Sequence, residues 1–210
     1  MNREFWLKMR RVRGYKALRS LVIGRESEQW LRIVMDQATL CWVKELPHCE
    51  LNVAEVSGTR WMNMLTFRSY DHFGYPEWDL CQTPLPRQFD LVIAEQVFEH
   101  LAYPGRAAVN VLKSLKPGGW FLITAPFLVR FHPQPLDCTR WSVEGLKFFL
   151  EDAGFESDTI RTQSWGNRAC LKANLLVWRK YQPWMHSLKN DPAYPLVVWG
   201  MARKPTKVAD

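Results

Sequence analysis

The sequence predicts an α/β protein with a doubly wound, mostly parallel sheet and helices on both faces. Short, nearly continuous apolar runs stand at 51–56 (LNVAEV), 89–94 (FDLVIA), 120–125 (WFLITA) and 195–201 (PLVVWGM). Runs of this kind, bounded by turn residues, are typical of strands buried on both faces. Between them, 104–116 (PGRAAVNVLKSLK) and 142–153 (SVEGLKFFLEDA) carry apolar residues at three- and four-residue spacing, as amphipathic helices do. Strands alternating with helices imply βαβ units and hence parallel pairing. The length agrees: 210 residues, 47% hydrophobic and 23% charged, suffice to bury one core.

The element ends carry their own signals. Pro104 suits a first helical turn, and Ser142 with Glu144 suits a capped helix start. Gly118 and Gly154 follow the two helices as C-terminal stops. The turn Ser57-Gly58-Thr59 closes the first strand, and Gly58 permits close backbone approach or positive φ.

Composition excludes several classes. Cys41, Cys49, Cys81, Cys138 and Cys170 are scattered and never in a C-x-x-C pair, which argues against a disulfide framework or a zinc ribbon. A reducing, cytoplasmic setting is expected. No apolar run approaches the ~18 to 20 residues of a spanning helix, so the protein is expected to be soluble.

The formal charge of +7 is concentrated near the start, at Arg3, Lys8, Arg10, Arg11, Arg13, Lys16, Arg19 and Arg25. Such a cluster suits a peripheral membrane surface, nucleic acid or an acidic partner. It also suits a solvated helix face whose apolar side, Phe5, Leu7, Val12, Leu18, Leu21 and Val22, caps the core. The organisation read from the chain is a basic helical arm over 1–49, a main domain over 50–203 and a tail over 204–210.

In an open parallel sheet, ligands bind outside the carboxyl ends of the strands. The residues just past the apolar runs are therefore the informative ones: Ser57-Gly58-Thr59, then Glu95-Gln96 running into Val97-Phe98-Glu99-His100, then Pro126-Phe127. The stretch 79–127 supplies Asp79, Leu85-Pro86, Phe89-Asp90-Leu91-Val92, Glu99-His100-Leu101 and Leu115-Lys116-Pro117-Gly118-Gly119 in order. In that order and spacing these motifs resemble the class I S-adenosylmethionine-dependent methyltransferases, in particular the small single-domain, type 11-like members. The resemblance covers roughly residues 50–203. It implies a Rossmann-like fold with a seven-stranded sheet and S-adenosylmethionine as cofactor; no metal is expected, since no ligand cluster of metal-site spacing stands in the sequence.

Carried over residue by residue, the resemblance assigns Glu55, Ser57, Gly58 and Thr59 to the cofactor loop, where two of the usual glycines are absent. It gives the adenine amino group to Asp79, with Leu80 and Leu85 packing on the ring, and puts Glu95 and Gln96 at the cofactor's edge. Asp71 is the nearest acid for the ribose hydroxyls, with Glu77 as the alternative. His100 has a structural or cofactor-side role.

The loop 131–141 resembles the H-x-P-x-D-x-x-R loop of several small-molecule methyltransferases. His132 is then the base for an acceptor hydroxyl, Asp137 its orienting acid or the holder of an acceptor amine, and Arg140 a clamp for an acidic acceptor. The aromatic segment 156–195 serves as pocket wall or as core.

The expected function is methyl transfer to a small-molecule acceptor, at oxygen or nitrogen, on a sugar or natural-product intermediate for example. Two alternatives stand beside it. One is a binding or scaffold protein on a catalytically weak version of the fold, motivated by the altered 57–59 loop. The other is a nucleic-acid methyltransferase, motivated by the basic arm and opposed by the absence of an N-P-P-[YF]-type tetrad after FDLVIA.

Overall fold

The computed structural model describes residues 28–206, so the basic cluster at the start of the expected arm lies outside the described residues. Strands β1 (Asn52–Val56), β2 (Ser69–Phe73), β3 (Phe89–Glu95), β4 (Leu115–Pro126), β5 (Arg161–Trp165) and β6 (Val197–Arg203) form one sheet in the order β2-β1-β3-β4-β6-β5. β1, β2, β3 and β4 pair in parallel, while β6 runs antiparallel to both β4 and β5. Helices α1 (Ile33–Lys44), α2 (Pro104–Ser114), α3 (Val143–Asp152) and α4 (Arg168–Asn174) accompany it.

The doubly wound expectation holds because the strand pattern alternates between two cores. Ala54, Val92, Ala94, Phe121, Ile123 and Val198 pack with Ala107, Val111, Leu146 and Leu150 of α2 and α3. Their neighbours Val53, Leu91, Ile93, Leu122, Trp199 and Met201 pack on the other face with Met35, Trp42 and Val43 of α1 and Cys170 of α4. Both faces are covered, which is why these strands read as continuous apolar runs. Residues 30–43 thus belong to the same folded body as the sheet.

Six strands stand where the resemblance implied seven. The chain passes from β2 to β3 through 74–88, which carries Pro76, Pro84 and Pro86. Proline lacks the N–H that a ladder needs, so this segment turns and β2 is left as the edge.

The helix expected over 104–116 ends at Ser114, and Leu115 is already extended, with φ −94° and ψ 141°. Pro117 disfavours helical backbone at Lys116, which moves the boundary back. Gly119 then follows at a close approach: a Cβ there would stand 2.9 Å from the Lys116 carbonyl oxygen and 3.1 Å from that of Phe89. Ser142 caps α3 as expected, accepting from the Gly145 amide at 3.0 Å. The closing strand begins two residues later than expected, at Val197.

Candidate functional site

A cavity of about 610 Å³ opens at the carboxyl edge of β1 and β3. Val56 and Ser57 from the end of β1 line it, as do Trp78, Asp79 and Leu80 from the segment after β2. Gln96, His100 and Leu101 line it from the segment after β3, and Gln134, Pro135 and Leu136 from the loop after β4. Its size and mostly apolar lining with few polar groups suit a nucleoside-sized ligand.

The loop after β1 is organised by Glu55. Its buried carboxylate accepts from the backbone amides of Arg60 at 3.2 Å and Trp61 at 2.9 Å, and from the Tyr70 hydroxyl. Glu55 therefore holds the loop closed instead of facing the cavity. Ser57 adopts φ +58°, the left-handed conformation that favours glycine, so a serine stands at a glycine-like position. Gly58 cannot be replaced freely, because a Cβ there would stand 2.3 Å from Glu55 Oε1. Gly58 and Thr59 line a shallower groove of about 310 Å³ that meets the larger cavity at Ser57 and Tyr75.

Asp79 is the one carboxylate lining the large cavity among the described residues. Its Oδ1 accepts from the Cys81 amide at 2.9 Å, which fixes the turn that brings Leu80 to the wall.

Two expected cofactor acids are placed otherwise. Asp71 lies in mid-strand, level with Ala54, and pairs with Arg87 Nη2 at 2.5 Å instead of reaching the cavity. Its register is short of the strand end, where a ribose would lie. Glu95 is buried in a charge network: it pairs with Arg32 and with Arg60 Nη1 and accepts from Trp61 Nε1 at 2.9 Å. Arg60 Nη2 also pairs with Asp36 at 2.7 Å, tying α1 to the β1 loop. With its oxygens spent inside the fold, Glu95 has no face toward the cavity. Glu77 does not line it either.

A second cavity, of about 260 Å³, adjoins the first and shares Gln96 and His100 with it. Arg32, Glu99, Pro126, His132 and Trp178 contribute to its walls. Gln96 stands between the two with φ +56°, its side-chain amide donating to Thr124 Oγ1 at 3.1 Å.

The 131–141 loop is fastened over this junction. Cys138 donates its amide to the Glu99 carbonyl at 2.7 Å, and His100 Nδ1 contacts the Leu136 carbonyl. Asp137 accepts from the His132 backbone amide at 2.8 Å and from Arg140 Nη2 at 2.6 Å. Burial pushes the Asp137 carboxyl up, but these bonds outweigh it and hold the group below the usual carboxylate range.

Asp137 and Arg140 are therefore spent on each other and on the loop. Neither residue lines the two cavities. Asp137 does stand 3.4 Å from His132 Nδ1, as an orienting acid would. Burial depresses the His132 pKa and keeps the ring neutral.

Trp78 and Tyr103 line these cavities without having been singled out in the sequence, whereas Glu99 was noted only as part of a motif and Trp178 only within the aromatic segment. Glu99 is fully buried, and burial pushes its carboxyl up to about 8. It lies in the E-H-L motif already noted for His100. Trp178 stands edge-on to His132 at 5.6 Å and receives the Arg130 guanidinium over its ring at 4.0 Å. Of the other aromatics in 156–195, Trp165 is core and Trp184 is exposed. No helix among the described residues is long and apolar enough to cross a membrane.

The family model described as a methyltransferase domain matches residues 61–123. A curated relative, a probable S-adenosylmethionine-dependent methyltransferase of Mycolicibacterium smegmatis, is 33% identical over 90 residues, covering 39% of this chain and 35% of its own. The chain thus spans about a third of that relative's length.

Among solved structures, an S-adenosylmethionine-dependent methyltransferase from Mesorhizobium loti aligns at TM-score 0.54 and 14% identity over 80% of this chain and 97% of its own. The [4+2]-cyclase SpnF aligns at TM-score 0.56 and 17% identity, over 89% and 86%. Phosphoethanolamine N-methyltransferase 2 of Haemonchus contortus, solved with S-adenosyl-L-methionine, aligns at 0.53 and 13%, over 81% and 52%. At these identities the solved structures speak for the fold alone. The chain is thus similar to a methyltransferase-domain family over residues 61–123 and to S-adenosylmethionine-dependent methyltransferases in its fold.

Proposed function

We propose that this protein transfers a methyl group from S-adenosylmethionine to a small-molecule acceptor. The observation that carries the reading is the junction of two cavities at the carboxyl edge of the sheet, one nucleoside-sized and one small, meeting at Gln96 and His100. The larger one fits the cofactor: Asp79 offers a carboxylate to an exocyclic amine, and Leu80 and Trp78 offer apolar walls to a ring. When bound, the sulfonium supplies an already electrophilic methyl group.

The chain's share is then to hold the acceptor in line, exclude water and take a proton where the acceptor has one to lose. Ser57 and Gly58 give the cofactor room at the loop. His132, kept neutral by burial and oriented by Asp137, is the proton acceptor. Trp178 walls the acceptor side.

The test is a screen of the purified protein against acceptor pools with methyl-labelled cofactor, followed by His132→Ala on any acceptor found. A drop in turnover of ~10² or more, with cofactor affinity nearly unchanged, is expected for a group acting at the reacting centre. A fully active variant removes His132 as the base.

A second reading is a binding protein without turnover. It is favoured by the serine at the glycine-like position 57 and by the pairing of Asp71 with Arg87. Absence of any cofactor-induced thermal shift would select it.

A further inference from the structure

The small cavity brings His132 up to Glu99 and His100, two residues that are adjacent in the chain. One ligand atom each from Glu99, His100 and His132 lies within 4.8 Å of the other two. Two ligands on one ion with bonds of ~2.1 Å stand ~3.4 Å apart in tetrahedral geometry, so a small closure of these side chains completes a set. Glu99 Oε1 and His100 Nε2 are already 3.6 Å apart.

A second observation points the same way. The Glu99 side chain is fully buried, it lines the cavity, and neither carboxylate oxygen has a hydrogen-bond partner among the described residues. A buried carboxylate left without donors carries a desolvation cost that a bonded cation offsets. The neighbouring cations do not meet this need, since Arg140 is paired with Asp137 and Arg32 with Glu95.

The imidazoles are oriented as ligands. His100 Nδ1 faces the Leu136 carbonyl, leaving Nε2 toward Glu99. His132 Nδ1 faces the Arg130 carbonyl at 3.3 Å, Asp137 at 3.4 Å and Arg140 Nη2 at 3.3 Å, while its Nε2 makes no hydrogen bond among the described residues. A backbone carbonyl or carboxylate on the far nitrogen is the usual support of a metal-bound histidine, because it fixes the tautomer and raises ligand basicity.

The geometry points to a site for one divalent transition-metal ion of the zinc type, held by the Glu99 carboxylate and by Nε2 of His100 and His132. Two imidazoles with one carboxylate suit zinc, iron(II) or cobalt(II) better than the all-oxygen shell of magnesium or calcium. Three protein ligands leave at least one coordination position open to the cavity. An oxygen donor, water or the hydroxyl of an acceptor, completes the shell, and a hydroxyl so bound gives up its proton to solvent far more readily. That consequence rests on the methyl-transfer reading, whereas the ion site itself does not. With the ion in place, His132 acts as a ligand and not as the base.

The test is calorimetric titration of the chelator-treated full chain with Zn2+, repeated with Co2+ to read its visible d–d absorption. One-to-one binding is expected, with a spectrum of nitrogen and oxygen ligation and no thiolate charge-transfer band. Glu99→Gln and His132→Gln should each weaken it at least about tenfold. S-adenosylhomocysteine binding, measured on both variants, shows that they remain folded and keep the cofactor cavity. Absence of stoichiometric binding overturns the proposal. So does binding that survives both substitutions, or that carries a thiolate band, because the ion then sits on the exposed cysteines. A chain that binds the ion and the cofactor product but moves no methyl group keeps the site and loses the methyl-transfer reading.

Discussion

The imidazoles of His100 and His132 stand edge to face, with ring centroids 5.4 Å apart and planes at 82°. One follows β3 and the other follows β4, and these neighbouring parallel strands deliver both rings to the same edge of the sheet. His100 lines both cavities, and His132 and Glu99 line the smaller one. Function is therefore expected to divide between residues that line the cavities and residues that hold their walls.

Asp79 belongs to the lining. S-adenosylmethionine or its demethylated product should raise the melting temperature, as a ligand specific for the folded state must. Asp79→Ala should weaken that binding by roughly 1 to 3 kcal/mol, the cost of leaving a donor unpaired. Calorimetry showing equal affinity for the variant would move the adenine elsewhere.

The loop after β1 separates two glycine-like positions. Gly58→Ala should destabilise by about 1 to 3 kcal/mol, because its Cβ displaces the Glu55 carboxylate from the loop amides. Ser57→Gly should lie within about 1 kcal/mol of the parent, since relief of the left-handed conformation offsets the entropy that glycine loses. Chemical denaturation of the two variants checks the ordering, and equal losses would contradict it.

Glu95 is expected to be structural. Glu95→Ala takes one carboxylate from the buried Arg32 and from Arg60, both of which keep Asp36, and should cost about 3 to 5 kcal/mol. Affinity for the cofactor product, measured below the melting point, should stay within a factor of about three, small against the tenfold that 1.4 kcal/mol represents. A large loss of affinity in a variant of unchanged stability would restore Glu95 to the cofactor site.

Acid sensitivity should appear at Asp90. Burial pushes its carboxyl up, but bonds from Lys116 Nζ at 2.8 Å and from the Asn52 backbone and side-chain amides, each at 2.8 Å, hold it below the usual value. A depressed folded pKa contributes stability that is fully present above the unfolded value of ~3.9 and is lost as pH falls through the folded one. Asp90→Asn should therefore lower stability at neutral pH and flatten its decline below about pH 4. Parallel stability–pH curves for the two proteins would refute this.

The central strands were legible in the sequence because each is buried on both faces, so FDLVIA and WFLITA show as unbroken apolar runs. The edge strands β2 (SYDHF) and β5 (RTQSW) were not, since they are only partly buried and their polar residues resemble loop. The motif order likewise led to Asp79 and Leu80, which line the large cavity, because a segment following a strand stays near that strand's end. Which acids remain free to bind was decided by tertiary structure. Glu95 turned inward to meet Arg32 and Arg60, and Asp71 met Arg87, through contacts between residues far apart in the chain. Arg140 was claimed by Asp137 through the folding of the loop itself.

The expectation of no metal rested on ligand spacing along the chain. Spacing is blind to Glu99, His100 and His132 because parallel pairing of β3 with β4 superposes the segments that follow them. Local sequence thus determined which strands and turns form. Long-range charge pairing and strand register decided which side chains reach the site, because both depend on residues that meet only when the sheet is assembled.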